Sequence, residues 1–178
     1  MKTIDLCLAV VFLAGCSHRS DPRIMEAAEK YPGYGRVDDV FYWSPVNCAD
    51  PPPAPPKVSV SRDLATHGRK LYYLFAKHRG AYLHARELPQ PVGQVLVKQS
   101  WKPGPGSTFS NPIAGDAGPL FMMIKIGDED SDAGWIYATV APDGKTVTAS
   151  GKIASCMECH QAAKHDRLFG LKSCAAAE

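Results

Sequence analysis

The chain has 178 residues, 45% of them hydrophobic, and a formal net charge of +2. That length fits one domain with tails, and the apolar fraction supports a real core. A near-neutral balance with no Lys/Arg-rich run leaves no polyanion signal, so no nucleic-acid partner is expected.

Residues 1–15 read as an export leader. Lys2 supplies the positive start, and residues 6–13 are a short apolar run, too short to span a bilayer as a finished helix. The run ends in Leu13-Ala14-Gly15-Cys16, which looks like a bacterial lipoprotein lipobox. By that likeness cleavage falls before Cys16, whose thiol carries diacylglycerol. Ser17 stands where inner-membrane lipoproteins carry Asp, which favours the outer membrane. The alternative is ordinary signal-peptidase cleavage nearby, giving a soluble periplasmic protein. Residues 16–60 form a tether and Pro-rich arm. Within it Ile24, Ala27, Ala28 and Tyr31 recur at helical spacing, predicting a helix over 22–31 that Pro32, Gly33 and Gly35 end. Residues 51–56, five prolines around Ala54, are extended polyproline II and read as an arm lying on the domain.

The domain proper is expected over residues 61–178. Ser61 or Asp63 caps a predicted helix in which Leu64, Leu71, Leu74, Phe75, His78 and Tyr82 recur at spacings of three, four and seven. A strand follows over 94–101, with Val95, Val97 and Trp101 on one face and Leu96, Lys98 and Ser100 on the other. Residues 102–119 are rich in Gly, Pro and Ser and predict a long loop. A second strand covers 120–126, with Phe121, Met123 and Lys125 alternating against Leu120, Met122, Ile124 and Ile126. Asp128, Glu129, Asp130 and Asp132 lie in a turn; they lack calcium-loop spacing and read as a solvated acidic turn. A third strand over 135–141 and a fourth over 146–150 flank the tight turn Pro142-Asp143-Gly144. A last helix is expected over 155–169. The order predicts an α+β fold: an antiparallel β-sheet meander with flanking helices, the last of them C-terminal.

That helix carries Cys156-Met157-Glu158-Cys159-His160, the C-x-x-C-H pattern of c-type haem attachment. Two thiols three positions apart lie on one side of a helical turn and can add across the two vinyl groups of one haem. His160 is then carried under the iron as axial ligand. A zinc site needs two further ligands, and no second C-x-x-C or H-x-x-x-H exists. A thioredoxin-like pair belongs in a βαβ unit, and none is legible upstream. One covalently attached haem c is expected. Six cysteines then sort as Cys7 lost with the leader, Cys16 lipidated, Cys156 and Cys159 on haem, with Cys48 and Cys174 left to pair as a disulfide on grounds of parity.

From residue 64 to 171 the chain resembles the cytochrome P-460 family, which includes the cytochromes c′-beta. The likeness rests on Gly93-Gln94-Val95-Leu96-Val97-Lys98, on Gly134-Trp135-Ile136-Tyr137 followed by Asp143-Gly144, and on the haem motif followed by Asp166-Arg167-Leu168-Phe169. The resemblance implies a mostly antiparallel β domain, often a homodimer, with a five-coordinate haem and His160 proximal. It also implies that Lys98 stands where cytochromes P-460 proper bond a lysine to the haem macrocycle and oxidise hydroxylamine. The c′-beta branch lacks that bond, has an apolar distal pocket, and binds nitric oxide or carbon monoxide. Where the hydroxylamine-oxidising members carry an acidic distal residue, this chain has Phe121, Met122 and Met123, which argues for gas binding. The other reading of Lys98 is a stem packed on the sheet with its ammonium in water.

Three functions fit these residues. One is a haem site that binds or oxidises small nitrogen species or diatomic gases, as an oxidoreductase if it turns over. Lys98 is then the catalytic residue, and Leu96, Phe121, Met123 and Trp135 wall the pocket. The second is a six-coordinate periplasmic electron carrier, which needs a Met or His as second strong ligand: Met122 or Met123, with His67, His78 and His84 behind them. The third is an envelope lipoprotein with a structural haem. The expected partners are the small gaseous or nitrogenous ligand, a periplasmic redox partner, and a membrane reached through the lipid anchor.

Overall fold

The computed structural model describes residues 21–37, 59–60, 68–108, 110–127 and 129–170. The leader, Cys16, Cys48, the proline run, His67 and Cys174 lie outside them. Helices α1 (Pro22–Lys30), α2 (Arg79–Leu83) and α3 (Ala154–His160) flank one antiparallel sheet. Its strands are β1 (Gly35–Arg36), β2 (Ser59–Val60), β3 (Leu71–Ala76), β4 (Val95–Pro103), β5 (Ala114–Lys125), β6 (Trp135–Val140) and β7 (Val147–Gly151). The order is β1-β3-β4-β5-β6-β7, with β2 also on β3. The fold is α+β, as the pattern of elements predicts.

Helix α1 forms where the sequence places it. The Asp21 carboxylate accepts the Arg23 amide at 2.9 Å and Pro22 opens the first turn. Ile24, Ala27 and Ala28 point inward onto Val95, Val97, Leu120, Met122, Ile124, Ile136, Ala138 and Val140. That layer closes one face of the sheet. The other face presents Ala76, Leu96, Met123, Trp135 and Tyr137, covered by Val37, Tyr82, Ala85 and Leu168. Each fully buried large apolar side chain here contributes roughly 1.5–3 kcal/mol. The strand alternation read for β4 and β5 therefore holds: Leu96 pairs with Met123 and Lys98 with Phe121 in register, all on the second face.

Three expectations are corrected. The helix predicted from Ser61 or Asp63 through Tyr82 is strand β3 over Leu71–Ala76, then a short α2. Leu71, Leu74 and Phe75 satisfy both periods. The aromatic run Leu71-Tyr72-Tyr73-Leu74-Phe75 finds a full-length partner in β4, and that pairing decides the outcome. The long loop over 102–119 is shorter than expected, with sheet at both ends, because β4 runs to Pro103 and β5 starts at Ala114. Gly104, Gly115 and Gly118 serve close approach. A Cβ on Gly118 would stand 2.5 Å from Ser100 Oγ, and one on Gly115 3.0 Å from Gly104 Cα. Shifts in register between Gln99 and Trp101 and between Trp101 and Pro103 absorb the irregular spacing. The last helix ends at His160 rather than near 169. Beyond it the backbone turns left-handed at Asp166 (φ 46°) and Arg167 (φ 61°), which no helix accommodates.

Candidate functional site

Strand β7 delivers the chain into α3, and the haem motif occupies that helix. Cys156 is half-buried against the Leu96–Met123–Tyr137 layer together with Met157 and Ile153, whereas Cys159 is exposed. Both are free thiols. Burial raises the pKa of Cys156, with Ser155 opposing through a hydrogen bond, so its thiol stays protonated at neutral pH.

The His160 ring lies between Tyr137 and Phe169, at centroid distances of 5.5 and 5.6 Å. Its Nδ1 is 2.7 Å from the Arg167 carbonyl oxygen. A carbonyl can only accept, so Nδ1 carries the proton and donates. In the neutral ring Nε2 then holds the lone pair. Burial lowers the pKa of His160 and Lys98 adds to that; the Arg167 carbonyl and Asp132 pull the other way. The ring is therefore poised as a neutral nitrogen donor with its second nitrogen fixed, which is how a metal-binding imidazole is held. Two thiols at haem spacing with this donor beside them fit an attached haem.

Lys98 comes to the same place from β4. Its ammonium sits over the Tyr72 ring at 4.2 Å, a cation–π contact. Burial pushes its pKa below the usual lysine range, against an opposing pull from the Cys159 sulfur. Its charge is also felt at His160, so Lys98 shares the field of the motif although strands β5, β6 and β7 lie between them in the chain.

Of the expected pocket walls, Leu96, Met123 and Trp135 come together under α3. Phe121 stands further along the strand, beside Lys98, with the Lys70 ammonium 5.6 Å from its ring centroid. Trp135 also braces the backbone after α3. Its indole N–H donates to the Asp166 carbonyl at 3.0 Å and carboxylate at 3.1 Å. Among the second iron ligands considered, Met122 lies in the α1 layer, with the sheet between it and α3. His78 and His84 are exposed, and His84 pairs with Glu87.

The residues that sequence reasoning missed sit on the far side of His160. Asp132 is not part of a solvated turn. It is 6% exposed and pairs with Arg167. The Tyr137 hydroxyl donates to it at 2.7 Å, which with burial raises the tyrosine pKa. Asp166 is a second buried hub, accepting from Lys125 Nζ, the Gln90 amide and Trp135. Two adjacent non-glycine residues in the left-handed region cost about 1–2 kcal/mol each, and these contacts offset it. The available signal was the short stretch Asp166-Arg167-Leu168-Phe169 itself, whose charged pair precedes two apolar residues after the motif.

Residues 57–169 match the protein family described as Cytochrome P460. No curated protein matches the chain.

Proposed function

The chain belongs to the cytochrome P460 family, and from that premise we propose that this haem protein binds a small gaseous or nitrogenous ligand, nitric oxide foremost, at a five-coordinate haem c. Cys156 and Cys159 form the thioethers and His160 Nε2 is the proximal ligand. When bound, the haem supplies an iron with one open position that can also exchange an electron. The chain's own residues do the rest. The Arg167 carbonyl keeps Nδ1 protonated and the ring oriented. Phe121 and Met123 present apolar surface on the sheet face that bears Lys98. Lys98 adds a side-chain nitrogen to that face.

The observation that carries the reading is the row Lys98–Phe121–Thr139 in register across β4, β5 and β6, next to Leu96–Met123–Tyr137. Phe121 and Met123 face the motif side, and neither is a carboxylate that could take a proton from hydroxylamine. Met122 faces the opposite layer, which leaves Met123, on the motif side, as the methionine the electron-carrier reading needs. A second reading keeps its own support: Lys98 has a depressed pKa and shares the field of Cys159 and His160, as a lysine destined to bond the macrocycle would. In that case the site oxidises hydroxylamine.

Ferric and ferrous absorption spectra of the mature protein, matured with a c-haem attachment system, test this. A high-spin ferrous spectrum with an ordinary Soret band supports the gas-binding reading. A band far to the red indicates the Lys98 bond and the oxidising reading. A sharp low-spin spectrum means an internal sixth ligand, and the electron-carrier reading takes over. We further propose that the protein faces the periplasm, anchored by lipid on Cys16, with Cys48 and Cys174 bridged. Intact mass of the membrane-extracted protein, before and after reduction, reads both.

A further inference from the structure

Three described elements converge on the backbone behind His160. The Arg167 carbonyl that accepts from Nδ1 belongs to a left-handed residue, preceded by another at Asp166. Such a backbone does not hold itself in place without glycine. The Arg167 side chain runs to Asp132, placing Nε at 3.0 Å and Nη2 at 2.9 Å from the same oxygen, Oδ1. The other oxygen, Oδ2, accepts from the Tyr137 hydroxyl at 2.7 Å, and the Tyr137 ring itself lies against His160. The Asp132 side chain is 4% exposed, so water competes little for these bonds. On the opposite side, Asp166 is tied to Lys125, Gln90 and Trp135.

We propose that Asp132 and Arg167 are positioning residues for the haem iron: their ion pair holds the Arg167 carbonyl on His160 Nδ1 and thereby sets the electron donation of the axial imidazole. The inference rests on His160 being the axial ligand, as proposed above. A firmly held acceptor at Nδ1–H makes the imidazole a stronger donor through Nε2 and favours the ferric state. Loosening the carbonyl weakens that donation. Neither residue belongs to the Lys98–Phe121–Met123 surface proposed to face the ligand, so the pair would act through His160.

The test uses the haem-loaded protein, the ferrous iron–histidine stretching band by resonance Raman, and the reduction potential. Asp132→Asn keeps size and removes charge. Arg167→Gly removes the guanidinium while making the left-handed backbone easier to adopt, and the double variant Asp132→Asn/Arg167→Gly, which strands no buried charge, is read beside it. Both variants are read well below their unfolding transitions. The expected result is a shift of the stretching band to lower wavenumber and a more positive potential in each. The stretching band does not move when an ion pair is lost for stability alone, and the potentials of the two variants are compared because the removed charges by themselves would shift them in opposite directions. His160→Ala is measured alongside. A band lost in His160→Ala but unchanged in Asp132→Asn and Arg167→Gly, with unchanged potentials, overturns the positioning role by itself. A band that survives His160→Ala overturns the axial assignment and this inference with it.

Discussion

Asp166→Asn isolates the buried carboxylate that ties β5 and β6 to the backbone after α3. Asparagine keeps the shape and tolerates the left-handed conformation at least as well as aspartate, so backbone strain does not confound the result. What changes is charge. The Lys125 and Asp166 side chains are each 11% exposed, and removing the carboxylate leaves the nearly buried Lys125 ammonium with the Ala133 carbonyl at 2.8 Å and the Trp135 ring at 5.0 Å. Breaking a buried pair from one side costs about 3–5 kcal/mol. The amide also turns an N–H₂ towards either the Gln90 N–H or the Trp135 indole, and an orphaned donor adds roughly 1 kcal/mol or more. With Ala133 and Trp135 still at the ammonium the pair contributes the low end of that range, so a loss of about 4 kcal/mol follows overall, near half the stability of an ordinary domain. Urea unfolding of the mature protein is the assay. With a slope of about 2 kcal/mol per molar, the midpoint falls by roughly 2 M at unchanged slope. The double variant Lys125→Met with Asp166→Asn removes the stranded charge and recovers most of the loss, since an apolar replacement of a buried pair is often neutral. A single-variant loss under about 1 kcal/mol, or a double variant no better than the single, refutes the reasoning.

Gly118→Ala drives a methyl into Ser100 Oγ, which donates to the Pro119 carbonyl at 2.7 Å, and lowers stability by about 1–3 kcal/mol; Ser100→Ala is better tolerated in that background than in the wild type, by thermal unfolding. Asp21→Ala removes the α1 cap and costs about 1 kcal/mol by denaturant unfolding. Hydrogen bonds from Arg23 lower the pKa of Asp21, so its contribution is present above the unfolded value of 3.8 and is lost as pH falls through the folded one. An acid titration of the variant is flatter than that of the wild type over that range. Lys98→Met leaves a spectrum of ordinary position unchanged, but abolishes any band displaced far to the red; optical spectra of the two proteins side by side decide it.

Much of the site was legible because its chemistry is local. Five consecutive residues carry the thiols and the imidazole, and alternation set Lys98 with Leu96 in 94–101 and Phe121 with Met123 in 120–126; the β4–β5 register is what joins the two pairs on one face. The helix misread over 61–82 shows the limit of period alone: Leu71, Leu74 and Phe75 suit a helix as well as a strand, and only pairing with β4 separates the two. The glycines before Pro119 looked like loop because what they make room for, the β4 backbone and Ser100, is distant in sequence. Asp132 looked solvated for the same reason. Its partner, Arg167, follows 35 residues later, and a carboxylate's burial is decided by what arrives on top of it.

From β3 onward the sheet is a plain meander in which each strand pairs with its successor in the chain. Successive pairing keeps the sequence separation of contacts low, the longest connection being the one through α2, and low separation goes with fast folding. All four strands of that central run after β3 precede α3, and none of their ladders needs it. The sheet can therefore zip up in chain order while Cys156, Cys159 and His160 are still arriving. Helix α3 itself buries none of its residues fully. The motif thus lies on a short and accessible turn beside that sheet, a placement that suits the covalent haem attachment proposed above.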